Sequence, residues 1–312
     1  MNIQSLFIEL DDYELNKTKI GKGTFGYIRT ALNKKDGKQY VVRIYDFLDY
    51  SKAAQQASII QEALIYNTLN HPAIEKLCGI NLHSFDDPNA LKPTFISEYY
   101  PKGSLNNILS AERQSMADIE WNYTKKLINL LGISHGMSYM HSKNIVHRNL
   151  KPSNILVDDH LYPIISDFRL VELCSKEEEM DEIMGTPLYM APEIVKNEKY
   201  GPSVDVFSFS ILAYEIVTGN EPYKEDGKFP RHFEFIRNVI AGERPTFSDE
   251  IKKPMKDLIS KCWSEDPDER PSFSEIFDKI SADYKSFAHE SIDEDEIENY
   301  IDMLKSSEQS SG

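Results

Sequence analysis

The stretch that most limits what this chain can become is His147-Arg148-Asn149-Leu150-Lys151-Pro152-Ser153-Asn154, with Asp167-Phe168-Arg169 arriving thirteen residues after Asn154. Between the two lie Ile155-Leu156-Val157-Asp158-Asp159 and the apolar run Tyr162 to Ser166, a spacing that predicts a short strand pair. A polar loop therefore feeds a hairpin, and the hairpin delivers an acid at the end of a strand.

This order resembles the protein-kinase catalytic loop, H-R-D-L-K-P-x-N, followed by that family's metal-binding D-F-G loop. Two positions depart from the pattern. Phosphoryl transfer asks little covalent chemistry of a protein: phosphates and metal must be positioned, and a proton removed from the attacking hydroxyl. The resemblance puts Asn149 where the family has the aspartate that accepts this proton. An amide carbonyl can orient a hydroxyl but has no basic site near neutral pH, and loss of a general base costs about 10²–10⁴ in rate. Asn154 and Asp167 match the family's metal ligands, an amide oxygen and a carboxylate suited to Mg²⁺. Lys151 completes the expected catalytic set and is the residue that serine/threonine enzymes carry there. Arg169 replaces a glycine whose missing Cβ lets the loop take up left-handed or flipped conformations, so some mobility is expected to be lost.

Earlier in the chain, Asp12 to Ile20 leads into Gly21-Lys22-Gly23-Thr24-Phe25-Gly26, then YIRTAL, Asp36-Gly37 and KQYVVRIYD. Asp36-Gly37 between two alternating runs is a hairpin signal, so the segment predicts strand, glycine-rich turn, strand, turn, strand. A lone G-x-G-x-x-G is weak evidence. Set between strands, it argues against a dinucleotide fold and for a kinase-type flap over nucleotide phosphates, with Gly21, Lys22, Gly23 and Gly26 contributing. By the same resemblance Ile28 and Val41 close over an adenine, and Leu156 joins the nucleotide-binding set. Val41 stands where the family usually has alanine and narrows that slot. Arg43 stands in place of the strand lysine that holds phosphates and pairs with a helix glutamate, here expected to be Glu62 in a helix over Ala53 to Leu69. A planar guanidinium does not replace a compact ammonium at a shaped site. The alternative for Arg43 is a solvated strand residue whose stem lies over apolar neighbours. The strand-like run Thr94 to Tyr100 resembles the hinge, with backbone near Glu98 and Tyr100 facing the adenine edge and a small Ser97 opening space behind it.

Leu105 to Ser110 and Tyr123 to His141 predict helices, the second with Leu127, Leu130, Leu131, Gly136 and Met140 on helical spacing. Beyond Asp167, Gly185-Thr186-Pro187 and Met190-Ala191-Pro192-Glu193 resemble the substrate-docking loop of serine/threonine kinases. Five acids fall between Glu177 and Glu182. They form either a solvated loop or a stand-in for a phosphorylated one, pairing with Arg148. Asp205 heads an apolar helix, where a carboxylate needs backbone donors, expected from the His147-Arg148 turn. Arg270 falls where the family pairs it with Glu193. Cys262-Trp263, with Lys151 and Gly185-Thr186, favours the tyrosine-kinase-like branch of serine/threonine kinases.

The resemblance implies an α+β, bilobal protein-kinase fold over residues 13–285. Its small, mainly β N-lobe with one helix spans 13–97, its hinge 98–103, and its larger, mainly α C-lobe 104–285. An N-terminal extension, 1–12, precedes it. An acidic, Ser-rich tail, 286–312, follows, with Ile292, Ile297, Tyr300, Ile301 and Leu304 as one stripe.

With 312 residues, 40% of them hydrophobic, the chain can bury such a core, and a net charge of −16 argues against nucleic acid or an anionic membrane as partner. The three cysteines, Cys78, Cys174 and Cys262, are far apart and carry no zinc or disulfide spacing. No signal peptide or membrane span is read, so a cytoplasmic protein is expected. Two functions remain open. One is a pseudokinase with possible ATP and Mg²⁺ binding that signals or scaffolds through protein partners on its lobe surfaces or tail. The alternative is a weakly active ATP-dependent serine/threonine kinase.

Overall fold

The computed structural model describes residues 6–22, 26–46, 52–85, 89–174, 180, 183–224 and 237–309. It divides into two compact units, residues 1–70 with 74–101, and residues 71–73 with 102–312.

The first unit is built on an antiparallel sheet of β1 (Tyr13–Lys22), β2 (Tyr27–Asn33), β3 (Gln39–Ile44), β4 (Leu77–His83) and β5 (Leu91–Glu98) in the order β1-β2-β3-β5-β4. The expected hairpin between β2 and β3 turns at Gly37, whose φ of 70° is left-handed and suits a residue without Cβ. Side chains alternate across the sheet, so one face buries Tyr13, Ala31, Val42, Ile44 and Ile96 as a core. The other face carries different chemistry. Cross-strand partners share a face, and the register Gly21↔Ile28, Ile28↔Arg43 and Val41↔Ser97 puts these residues together on it. Helix α1 (Ala53–Thr68) buries Ile59, Ala63 and Tyr66, which recur in the sequence at helical spacing, and ends as the Leu69 N–H donates back to Ile65 O.

The second unit is mainly helical: α2 (Leu105–Arg113), α3 (Tyr123–Ser142), α4 (Pro192–Val195), α5 (Ser203–Thr218), α6 (Lys253–Cys262), α7 (Phe273–Ala282), α8 (Tyr284–Phe287) and α9 (Glu294–Gln309). Helix α2 runs on past Ser110, where the sequence alone would stop it. Both α3 and α5 are buried over nearly their whole length, and α5 is apolar on nearly every side, so it carries no one-sided stripe in sequence. Helix α5 stops at Gly219, left-handed at φ 69°. Helix α7 starts with a reciprocal cap between Ser272 and Glu275.

Helix α9 packs on α3 through Ile297, Tyr300, Ile301 and Leu304, all buried. Ile292, expected in that stripe, precedes the helix and is only half-buried. Gly132 of α3 makes the approach possible, because a Cβ there would stand 2.2 Å from Tyr300 Oη. Polar contacts hold the edges: Lys125 with Glu296, Tyr162 Oη donating to Glu296 at 3.0 Å, and Asp293 N–H donating to Thr124 Oγ1 at 2.8 Å. Residues 310–312, the Ser/Gly end of the tail, lie outside the described residues. Among the described residues no helix is long and apolar enough to cross a membrane.

Candidate functional site

In the second unit the loop 147–154 is fixed from below by one carboxylate. Asp205, fully buried at the start of α5, accepts from the His147 and Arg148 backbone N–H groups, each at 2.8 Å, and contacts His141 Nε2 at 2.9 Å. These are the donors its burial demands. Burial alone would push its carboxyl pKa up, yet the hydrogen bonds and neighbouring histidines hold it below the usual carboxylate value. The anchored turn is strained: Arg148 has φ 60°, left-handed for a residue with a long side chain. His147 accepts the Asn149 N–H at Nδ1, 3.2 Å, so Nε2 carries the proton that it donates to Ser166 O at 3.1 Å. Burial pushes its pKa down, consistent with a neutral ring.

Three of the expected catalytic residues meet in one chain of contacts. Lys151 Nζ donates to Thr186 Oγ1 at 2.6 Å, and Thr186 Oγ1 donates to Asn149 Oδ1 at 3.0 Å. Gly185 sets this geometry: its φ is 119°, and a Cβ there would lie 2.7 Å from Arg148 O. Asn154 donates from Nδ2 to Asn149 O at 2.8 Å, while its own carbonyl accepts from Ser166 N–H and Oγ. Thr186 is the member that sequence reasoning noted only as part of a docking motif.

Asp167 does not stand open. It follows the hairpin Ile155–Val157 with Pro163–Ile165, takes a left-handed backbone at φ 68°, and begins a 3-10 turn with Phe168 buried beneath. Arg169 turns back onto it. Nη2 donates to Oδ2 at 2.6 Å and Nε donates to Oδ1, so one guanidinium grips both oxygens in a two-pronged pair. Where the sequence leads one to expect a metal ligand beside Asn154, the structure has an internal ion pair. Among the described residues no group of three His, Cys, Asp or Glu side chains is placed to hold a metal ion. With both oxygens engaged by Arg169, the Asp167 carboxylate as it stands does not fit a divalent cation.

Arg148 donates from Nε to Leu170 O at 2.6 Å and from Nη2 to Glu172 at 3.0 Å. The acids expected to pair with it, Glu177 to Glu179, Asp181 and Glu182, lie outside the described residues. Glu172 is an acidic partner that sequence reasoning missed. Arg270 grips Glu193 at 2.6 and 2.9 Å with both side chains buried, as the motif implies.

In the first unit Arg43 is not solvated. Nη1 donates to Glu62 Oε1 at 2.7 Å and to Tyr45 Oη at 3.4 Å, and Nη2 donates to Tyr66 Oη at 3.2 Å and lies 3.6 Å from Glu75 Oε2. Tyr45 donates to Glu62 at 2.5 Å and Tyr66 to Glu75 at 2.6 Å. Burial and the adjacent carboxylates push both phenol pKa values up, which keeps them donors. A flat fork that reaches two acids at once is what an ammonium lacks. Ser97 does not open a space: its hydroxyl donates to the other oxygen of Glu75 at 2.7 Å, and both residues are buried. Glu75, Tyr45 and Tyr66 come from separate elements and carry no spacing signal.

Of the remaining expected nucleotide residues, Gly26 has a clear reason to be glycine, since a Cβ would fall 1.7 Å from Ile44 O. Gly21 has room, because a Cβ there would come no closer than 3.4 Å to the Ile28 side chain. Ile28 and Val41 are half-buried, Glu98 is exposed, and Tyr100 Oη donates to Glu98 at 3.2 Å. Leu156 pairs with Ser104 in an isolated bridge. Gly23 and the Lys22 side chain lie outside the described residues.

A glycine-turned five-stranded sheet with a strand–helix ion pair, together with a helical unit whose polar loop hangs on a buried aspartate, defines the protein-kinase class of fold. The protein kinase domain family matches residues 14–280, and the chain belongs to that family. It is 35% identical over 229 residues to "Probable serine/threonine-protein kinase drkC" of Dictyostelium discoideum, covering 72% of this chain and 29% of the relative. It is 31% identical over 275 residues to "Dual specificity protein kinase shkB" of the same organism, covering 86% and 40%. It is 28% identical over 317 residues to human "Receptor-interacting serine/threonine-protein kinase 1", covering 95% and 44%. The chain thus spans less than half the length of these relatives.

Proposed function

We propose that this chain is a kinase domain of the tyrosine-kinase-like branch that works chiefly by binding: a pseudokinase that holds a nucleotide and serves signalling or scaffolding through its surfaces. The observation that carries this is the neutral amide of Asn149 at the base position, already accepting the Thr186 hydroxyl. An amide so placed orients a hydroxyl and takes no proton from it. The network around Arg43 adds weight, because a guanidinium committed to Glu62, Tyr45 and Tyr66 has little left to offer phosphates. ATP enters from the family and from the Gly21-Lys22-Gly23-Thr24-Phe25-Gly26 sequence motif. Protein partners, on the unit surfaces or along the acidic helix α9, suit a chain of net charge −16.

A residual serine/threonine kinase is the second reading. Its likeness to relatives named as serine/threonine and dual-specificity kinases favours it, as does the Lys151–Thr186 contact, which keeps a lysine beside the place where a hydroxyl nucleophile would be oriented.

Single-turnover transfer of labelled phosphate from ATP to the chain itself and to a basic protein separates the two. Asn149→Asp restores a carboxylate within reach of Thr186 and is expected to raise the transfer rate by about 10²–10⁴ over wild type. Equal rates for the two proteins would remove Asn149 as the limiting defect.

A further inference from the structure

The pair Asp167–Arg169 is a cation site already filled by the chain. Both carboxylate oxygens are engaged by one guanidinium, Nη2 to Oδ2 at 2.6 Å and Nε to Oδ1, and both side chains are largely shielded, 14% and 24% exposed. The two residues are two positions apart, so the guanidinium is tethered beside its partner at high effective concentration. The left-handed Asp167 and the following 3-10 turn bend the backbone so that the side chains close on each other over buried Phe168. A metal ion arriving at Asp167 must displace that fork and give up hydration water, which Mg²⁺ does reluctantly. The cation set against this carboxylate therefore comes from the protein itself.

We propose that Arg169 is a built-in counter-ion that takes the place of a divalent cation at Asp167, so that a nucleoside triphosphate binds this chain as well without Mg²⁺ as with it. The ligand rests on the nucleotide-holding function proposed above; the counter-ion does not. Without Arg169 the Asp167 carboxylate faces the ligand's phosphates uncompensated, and like charges repel.

The test has two arms on the whole chain. In the first, calorimetric titration with ATP is run in excess Mg²⁺ and in EDTA. Wild type is expected to give the same affinity in both. Arg169→Gln, which keeps the bulk and removes the charge, is expected to bind about tenfold or more weaker in EDTA, with Mg²⁺ restoring it. Wild-type binding that disappears in EDTA would overturn the proposal. In the second arm Mn²⁺ alone is titrated and followed by electron paramagnetic resonance. Arg169→Gln is expected to gain an Mn²⁺ site that the double variant Arg169→Gln/Asp167→Asn lacks, while wild type and Asp167→Asn take up the same amount. Wild-type uptake that falls in Asp167→Asn, or no gained site in Arg169→Gln, overturns the counter-ion. No ATP binding in any condition, with the Mn²⁺ arm as expected, ends the nucleotide function and leaves the counter-ion standing.

Discussion

Arg43→Met is expected to destabilise the first unit by about 3–5 kcal/mol, because it strands two buried carboxylates, Glu62 and Glu75, that now share one guanidinium. Arg43→Lys, which restores the family's residue, is expected to destabilise it as well, by about 1–3 kcal/mol. An ammonium carries a point charge and can sit on Glu62 or near Tyr66 and Glu75, but cannot span both as the fork does. Trp121 and Trp263 lie in the second unit, so tryptophan fluorescence does not report on this change. Hydrogen exchange over β3 and α1 does: faster exchange there in both variants, larger in Arg43→Met, is the expected result. Wild-type protection in Arg43→Lys would mean the two acids do not depend on a shared fork.

Asp205→Ala is expected to cost about 3–5 kcal/mol, and Asp205→Asn about 1–3 kcal/mol. The alanine leaves the His147 and Arg148 N–H groups without their acceptor; the asparagine keeps one oxygen but turns an amide N–H₂ toward a donor. The strained φ of 60° at Arg148 then loses the bond that holds it, so loop 147–154 is expected to loosen before the rest of the unit. A pH dependence follows with a definite sign. The folded carboxyl is held below its usual 3.8, so its stabilisation is fully present above that value and is lost as pH falls through the lower, folded value. Acid denaturation of wild type should steepen below the ordinary carboxylate range, and Asp205→Asn should flatten that limb. Identical acid limbs would show that Asp205 contributes no charge-dependent stability.

Much of the fold was legible because its signals are local. The Asp36-Gly37 turn, the helical period that buries Ile59, Ala63 and Tyr66, and the stripe of Ile297, Tyr300, Ile301 and Leu304 each sit within a few residues of one another. Glu62 as the partner of Arg43, Arg270 with Glu193, and Asp205 under the His147-Arg148 turn were legible through motif order, which encodes distant contacts by resemblance. What stayed hidden needs three dimensions. Tyr45, Glu75 and Ser97 enter the Arg43 network from three separate stretches, and a small residue at Ser97 reads as space until Glu75 is seen to fill it. Gly132 is an unremarked helix residue until Tyr300 approaches it. Arg169 shows the limit most plainly. Its charge and its distance from Asp167 are in the sequence, but the left-handed turn that folds one onto the other is not.

These side chains share a theme. Asn149, Arg43 and Arg169 each put a fixed neutral or internally committed group where phosphoryl transfer uses a base, a phosphate-holding lysine or a metal. The most direct measurement is steady-state transfer of labelled phosphate from saturating ATP by the wild-type chain, with Asp167→Ala as the zero. Wild type is expected to match that zero or exceed it only marginally. Turnover at the rate of ordinary kinases, about 1–100 s⁻¹, abolished in Asp167→Ala, would contradict it.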